Sequence, residues 1–474
     1  MLESDHKLDG NLPLDQQENL AKALIGFAFA SIAGHALSTL FNHSRLSCCG
    51  THRNLSRWFQ PVPKRCAVAS RVNARNVPLA NLRALVIVIV VAFHSVLPYL
   101  ASQPAEPYPF DAAPWRWVAF PIIDRQRFFG FDLFCAWQDI SLMSLMFFLA
   151  GLFTPASLGR KGSLGYLLDR WWRIGLPFLL AVAILSPLTY FASYRAAAAD
   201  PSFEAFWRHW LALPMWPAGP AWFLWQLFLL GALFALIHAL APQWLEALHR
   251  FAGRYDDRPL AFFATLALLS AIAYVPLALS FSAWDWTFFG PFSFQLSRPA
   301  HYLLYFAAGF ALGGHGLDRG LLQSDGALAR QWPTLLAAAV TGFAAWCYLT
   351  SLTFPDWNLS PLANRLAAAL AFPPACAAGA LSLLAISLRA MRFGDHRLES
   401  LSVNAYSIYL LHYAVVVWLQ FALLAIALAA LVKGAIVLGL GLTSSWAASE
   451  GFRRLFALLP GLGKGKETVA DQRQ

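Results

Sequence analysis

The chain has 474 residues, of which 58% are hydrophobic and only 13% charged, and its mean hydropathy is +0.52. A soluble domain carries roughly 25% charged residues, so this composition excludes an ordinary water-soluble globule and predicts a lipid bilayer as partner. The net charge of +10 has no Lys/Arg block interleaved with exposed aromatics, which argues against nucleic acid. It fits cytoplasmic loops facing anionic headgroups. The cysteines, Cys48, Cys49, Cys66, Cys135, Cys347 and Cys376, form no C-x-x-C pair. They predict neither a metal site nor a disulfide framework.

Residues 1–80 are polar and basic apart from Ala23 to Phe41. That stretch is weakly hydrophobic and follows Glu3, Asp5, Asp9, Asp15 and Glu18, unlike a signal peptide. An amphipathic or partly disordered cytoplasmic extension is preferred to a further span. A bilayer core needs about 20 apolar residues in a helix. Spans are predicted near 84–101, 139–157, 174–193, 221–241, 260–281, 300–316, 333–353, 362–388, 402–423 and 426–447, the last two joined by a tight connection around Lys433–Gly434. The expected fold class is therefore all-α: a transmembrane bundle of about ten spans over residues 81–450, with a cytoplasmic tail at 451–474.

Loop charge sets the orientation. Loops after the second, fourth, sixth and eighth spans carry Arg160, Lys161, Arg170 and Arg173, then Arg250, Arg254 and Arg258, then Arg319 and Arg330, then Arg389, Arg392 and Arg397. The opposite set is poorer, with Arg116, Arg125, Arg127, Arg195, Arg208, Arg298 and Lys433 offset by acids such as Asp124 and Asp132. The alternation predicts both termini inside.

Ionisable residues within spans are functional hypotheses by default, because burying them in lipid is costly. His94 lies eleven residues after Arg83, almost three whole turns, so the two share a helix face. Counted from Arg83, His94 is about 16 Å deep. His412 lies about 15 Å into its span, on a helix that also carries Ser402, Tyr406 and Tyr409. Interhelical hydrogen bonding is the plainer role for these groups. Arg170 and Arg173, at i,i+3, can point one way and fork onto phosphates. Equally, they serve as topology signals beside the interfacial Trp171–Trp172 pair. Trp222, in Gly219-Pro220-Ala221-Trp222-Phe223-Leu224, also fits an aromatic belt.

Taken in order, these residues resemble the acyltransferase 3 family of bacterial membrane proteins over roughly residues 80–450. Arg83 to His94 is similar to its Arg-x10-His motif, and Arg170-x-x-Arg173 with Pro177 to its Arg-x-x-Arg. Phe147-Phe148-Leu149-Ala150-Gly151 resembles its Phe-Phe-x-Ser-Gly, with Ala150 in place of Ser. Trp222-Phe223-Leu224 resembles its Trp-Phe-Leu, with Pro220-Ala221 where a His is usual. Ser402-x3-Tyr406 and His412 resemble its late Ser-x3-Tyr and terminal His. Asn404 and the Arg-Ile-Gly-Leu-Pro stretch are reminiscent of the glucan biosynthesis protein C branch. The resemblance implies ten spans and an O-acyltransferase of the inner (cytoplasmic) membrane. Such an enzyme moves an acyl group from cytoplasmic acyl-CoA, acetyl-CoA or succinyl-CoA, to a hydroxyl of a carbohydrate acceptor. It implies His94 as general base, with His412, Tyr406 or Tyr409 donating to the oxyanion. Arg83, Arg170, Arg173, Trp222 and Ser402 would bind the donor, and no metal is expected. The competing reading is a proton-coupled secondary transporter of a small polar solute, against which stands the lack of repeat symmetry.

Overall fold

The computed structural model describes residues 77–458 except residue 114, with side chains to Leu455. Of the expected extension, residues 1–76, with Ala23 to Phe41, lie outside the described residues, and 77–80 are part of the first described helix. Of the expected tail at 451–474, residues 451–458 continue the last described helix and the rest lies outside. The helices are α1 (Val77–Val96), α2 (Phe129–Arg170), α3 (Ser186–Ala197), α4 (Phe203–Ala212), α5 (Trp222–Leu240), α6 (Pro242–Ala252), α7 (Pro259–Phe281), α8 (Pro299–His315), α9 (Trp332–Ser351), α10 (Leu362–Ala390), α11 (His396–Leu423) and α12 (Ala430–Leu458). Each predicted span falls on helix. Among the described residues, eight helical stretches are long and apolar enough to cross a membrane. One of them, Phe129–Ala197, is 69 residues long and contains two predicted spans. The α8 helix, at 17 residues, rises about 26 Å. The architecture is an all-α, multi-pass bundle whose outward faces carry exposed Ile184, Leu229, Leu236, Leu268, Ile272 and Leu440. Water does not favour an apolar surface that extensive; acyl chains do.

Several predicted boundaries are corrected. The predicted loop at Arg160–Arg173 is helical and breaks only at Gly162, whose φ of 67° and ψ of 172° are open essentially to glycine alone. Two π-helical turns, Trp171–Gly175 and Ala181–Leu185, then lead into α3. The final connection is residues 424–429, and Lys433–Gly434 lies in the first turns of α12. A small antiparallel hairpin, β1 (Trp286–Phe289) with β2 (Phe292–Gln295), is the one sheet among the described residues. Trp225 Nε1 donates to its Ser293 carbonyl at 3.1 Å.

Two segments read as loops are short helices. In α4, Ser202 caps the N-terminus by accepting from the Ala205 N–H at 3.2 Å. Phe203, Trp207 and Leu211 are exposed at four-residue intervals along it. In α6, Trp244 and Phe251 are exposed. One apolar stripe on a short helix beside a bundle is the pattern of a helix lying in the membrane interface.

Cross-links sort the loops onto two faces. Asn81 Nδ2 donates to the Met391 and Phe393 carbonyls at 2.9 and 3.0 Å. Asp325 pairs with Arg392 at 2.6 Å and Arg389 at 3.0 Å, and the Arg392 hydrogen bonds hold its carboxyl below the usual carboxylate range. His315 meets Asp256 at 3.0 Å. Ser449 donates to Asn404 at 2.7 Å, tying the start of α11 to the end of α12. The arginine-rich loops after the fourth, sixth and eighth predicted spans therefore share a face with the start of α1 and the end of α12. On the other face, Asp132 accepts from the Ala101 and Ser102 N–H groups, and Tyr190 donates to the Val118 carbonyl.

The crossing of α2 and α8 is glycine-dependent. A Cβ at Gly151 would collide with the Phe306 carbonyl, at Gly309 with the Phe148 carbonyl, and at Gly313 with the Leu152 carbonyl. Small residues four apart let helix backbones approach where no hydrophobic effect drives association. The glycine that ends Phe147–Gly151 is thus accounted for by packing. Gly309→Ala is expected to push the helices apart at a cost of roughly 1–3 kcal/mol, read as a lower thermal midpoint in detergent.

Candidate active site

Helix α1 is packed by α2, α10, α11 and α12, and its last turn carries His94. Val77, six residues before Arg83, is already helical, and His94 stands two residues before the end of α1 at Val96, nearer the face opposite the arginine-rich loops than to them. His412 lies about 24 Å along α11, so the two helices deliver both rings to one level.

The rings meet. His412 Nε2 is 3.2 Å from His94 Nδ1. The neighbours fix the tautomers. His412 Nδ1 lies 2.7 Å from the Tyr409 carbonyl and 3.2 Å from the Ile408 carbonyl. Carbonyls only accept, so this nitrogen carries the proton and Nε2 of neutral His412 is an acceptor. His94 Nδ1 lies 2.9 Å from the Val90 carbonyl, so it too is protonated, its N–H shared between Val90 and His412. The lone pair of neutral His94 is thereby placed on Nε2. That atom has no hydrogen-bond partner among the described residues, and His94 is partly exposed. Gln420 Nε2 donates to the His94 carbonyl at 2.7 Å, satisfying an otherwise orphaned helix-end acceptor. The ring packs edge-on to Tyr413, with centroids 5.1 Å apart.

The other predicted residues are distributed around this pair. The Tyr409 hydroxyl donates to the Pro220 carbonyl, so its proton is committed. The Tyr406 hydroxyl is buried without a partner, but Tyr406 is about 9 Å back along α11 from His412. Ser402, 4% exposed, is about 15 Å back. None of the expected oxyanion donors is therefore poised beside His94: His412 accepts, Tyr409 is engaged, and Tyr406 lies a turn and a half away. Arg83 is exposed, its guanidinium 5.9 Å over the Phe153 ring. It shares a face with His94 and stays at the far end of that face. Trp222 lies against Trp286 at 5.3 Å and Tyr302 at 6.1 Å, and the adjacent Phe223 packs on Tyr409 at 5.9 Å.

Arg170 and Arg173 do not present a matched pair. The π-helical turn that starts at Trp171 changes their relative angle. Arg173 Nε is held by Asp169 at 2.9 Å, and Lys161 takes the other carboxylate oxygen at 2.7 Å. The Arg170 guanidinium lies 4.9 Å over the Tyr166 ring, with its Nε buried and unpartnered. Asp169 holds Arg173 by Nε and leaves its two terminal nitrogens facing outward.

Sequence reasoning missed three buried groups. Arg298, 1% exposed, makes a bidentate pair with Asp139 at 2.6 and 3.0 Å. Lys433 and Asp124, 1% and 3% exposed, pair at 2.6 Å. The loop-charge pattern places Arg298, Lys433 and Asp124 in loops, whereas the structure buries all three. His301, fully buried on α8, meets the criterion that singled out His94 and His412. However, both its nitrogens are taken, by Ser144 at 2.9 Å and Ser270 at 2.6 Å. This contrast separates a packing histidine from one with a basic nitrogen open. Asn404 is spent on the α11–α12 contact described above. Among the described residues no cluster fit to hold a metal occurs.

A multi-pass helical bundle with a paired-histidine centre at the end of α1 is consistent with a membrane-embedded acyltransferase. The model of the acyltransferase 3 family, described as an acyltransferase domain, matches residues 79–450, and the chain belongs to that family. No curated protein and no solved structure matches the chain.

Proposed function

We propose that the protein transfers an acyl group from cytoplasmic acyl-CoA to a hydroxyl of a carbohydrate, with His94 as general base. The observation that carries this reading is the open Nε2 of His94, fixed as the basic nitrogen by Val90 and His412. A positioned neutral imidazole is what proton abstraction requires. In the step, Nε2 takes the hydroxyl proton of the acceptor as its oxygen attacks the thioester carbonyl. The C–O bond forms, the C–S bond breaks, and the CoA thiolate leaves, receiving the proton back from His94. His412 accepts the His94 Nδ1–H throughout and favours the transient imidazolium. The arginine-rich face is cytoplasmic in this reading. There the outward nitrogens of Arg173, with Arg170, Arg160 and Lys161 nearby in sequence, attract the CoA phosphates. The acceptor reaches His94 from the opposite face, whose loops are closer to it.

The test is CoA release by the purified full chain in lipid nanodiscs, given acetyl-CoA and a glycan fraction from the host envelope. Acceptor-dependent release supports the proposal, whereas solute uptake without release, the behaviour of a transporter, contradicts it. For the donor contacts, Arg173→Lys is expected to raise the apparent donor KM roughly 5–20-fold with little change in kcat. Lysine keeps the charge but loses the Nε held by Asp169 and the forked donors. An unchanged KM would reduce Arg173 to a topology signal.

A further inference from the structure

The Asp139–Arg298 ion pair has no part in the acyl-transfer step, and its two members are not alike. Arg298 is 1% exposed and Asp139 33%. The Lys433–Asp124 pair, in contrast, is closed on both sides, at 1% and 3%. Arg298 Nη1 and Nη2 donate to Asp139 Oδ1 and Oδ2 at 3.0 and 2.6 Å. A carboxylate accepts at about four positions, and that of Asp139 has no further hydrogen-bond partner among the described residues. Its open side therefore carries unused acceptor capacity. Asp139 lies about 15 Å along α2, within a stretch long and apolar enough to cross a membrane. A half-exposed carboxylate against acyl chains is costly, so charges at such positions face the bundle interior or a water-filled space.

The surroundings suit one chemistry. The Tyr302 hydroxyl lies 3.4 Å from Arg298 Nη1. The Tyr302 ring stacks with half-buried Trp222, 28° from parallel with centroids 6.1 Å apart. Trp222 in turn meets Trp286, which is 38% exposed, at 5.3 Å. A sugar offers hydroxyl donors and apolar C–H faces. A carboxylate takes the first in charge-assisted bonds, and an indole face covers the second. The location suits the acceptor as well. Arg298 precedes α8 and Trp222 opens α5, and both helices begin on the face opposite the arginine-rich loops. The Tyr409 hydroxyl bonds the Pro220 carbonyl, which sets the start of α5 against α11 one turn before His412.

We infer that the open side of the Asp139 carboxylate binds a hydroxyl of the acceptor sugar, with Arg298 orienting the carboxylate and Trp222 offering the sugar a ring face. The inference rests on the acyltransferase reading above and supplies the acceptor contact that reading lacks. Trp222 then serves the acceptor, not the donor that the resemblance implies.

The experiment measures CoA release in nanodiscs with the envelope glycan fraction and acetyl-CoA varied in turn. Asp139→Asn keeps the shape of the side chain and one oxygen for Arg298. Its apparent KM for the glycan fraction is expected to rise roughly 10–100-fold, the size of a lost hydrogen bond to a charged group, with the acetyl-CoA KM within about twofold of the wild type. A purely structural pair would not separate the two constants. Asp139→Leu with Arg298→Met removes the pair without leaving a lone charge, and it too should show the raised glycan KM. Trp222→Leu, which leaves the pair intact, should raise the glycan KM alone. Wild-type glycan saturation in the folded double variant, or an equal rise in both constants, overturns the assignment. A second arm works without donor. The glycan fraction should raise the thermal midpoint of the wild type and not that of Asp139→Asn. Such protection with no CoA release would contradict the acyl-transfer reading and leave the acceptor assignment standing. Glycan-dependent CoA release with an unchanged glycan KM in these variants would do the reverse.

Discussion

His94→Ala is expected to lower acyl transfer by roughly 10³-fold, within the 10²–10⁴ range of general acid–base catalysis, at unchanged membrane abundance. The substitution removes the one nitrogen of the pair that is both basic and open. The fold should survive, since the ring's contacts are two hydrogen bonds, to Val90 and His412, and edge-on packing against Tyr413. His412→Ala should cost less, roughly 10–100-fold. The Val90 carbonyl alone still holds the His94 proton on Nδ1, so the tautomer persists while the acceptor that stabilises the imidazolium is lost. The loss should appear in kcat more than in the donor KM. A purified His94→Ala protein with normal turnover would remove the histidine from the mechanism, and a His412 effect larger than the His94 effect would invert the assigned roles.

The second large effect concerns stability. Asp139→Ala is expected to destabilise the bundle by about 3 kcal/mol, the low end of the cost of leaving a buried charge uncompensated, because Arg298 is buried while Asp139 itself is 33% exposed. Arg298 is 1% exposed and its Nε already lacks a partner. Without the Asp139 carboxylate it would keep the main-chain carbonyl of residue 139 at 3.2 Å, the Tyr302 hydroxyl at 3.4 Å and the Phe372 ring at 4.9 Å. Removing both charges together, as Asp139→Leu with Arg298→Met, should recover most of the loss, because a well-packed apolar pair often equals an ion pair. Thermal unfolding of the two variants in detergent measures this. A double variant no more stable than Asp139→Ala would show that the pair does more than neutralise itself.

The bundle was legible in the sequence because a bilayer leaves the backbone few options. Each span must satisfy its own hydrogen bonds, so apolar length translates into helix. The alternation of arginine-rich loops likewise anticipated which loops share a face, as the Asn81–Met391 and Asp325–Arg392 links bear out. What escaped was pairing at long range. Hydropathy gives no reason for Arg298 to turn inward onto Asp139, or for Lys433 to seek Asp124, because partners 159 and 309 residues apart leave no periodic trace. His94 and His412 were placed at one level by counting turns, but their direct contact, and with it the tautomer, needed coordinates. The spacing of Arg170 and Arg173 misled because i,i+3 alignment holds for an α-helix, and the chain there enters a π-helical turn. His301 stands at the edge of a predicted span, and the rule that singles out His94 covers it too.

The most direct measurement is mass spectrometry of envelope glycans from a deletion strain carrying either the wild-type chain or His94→Ala at matched abundance. The account predicts an acyl mass on the glycan with the wild type and its absence with His94→Ala. The same acyl mass in both strains would contradict it.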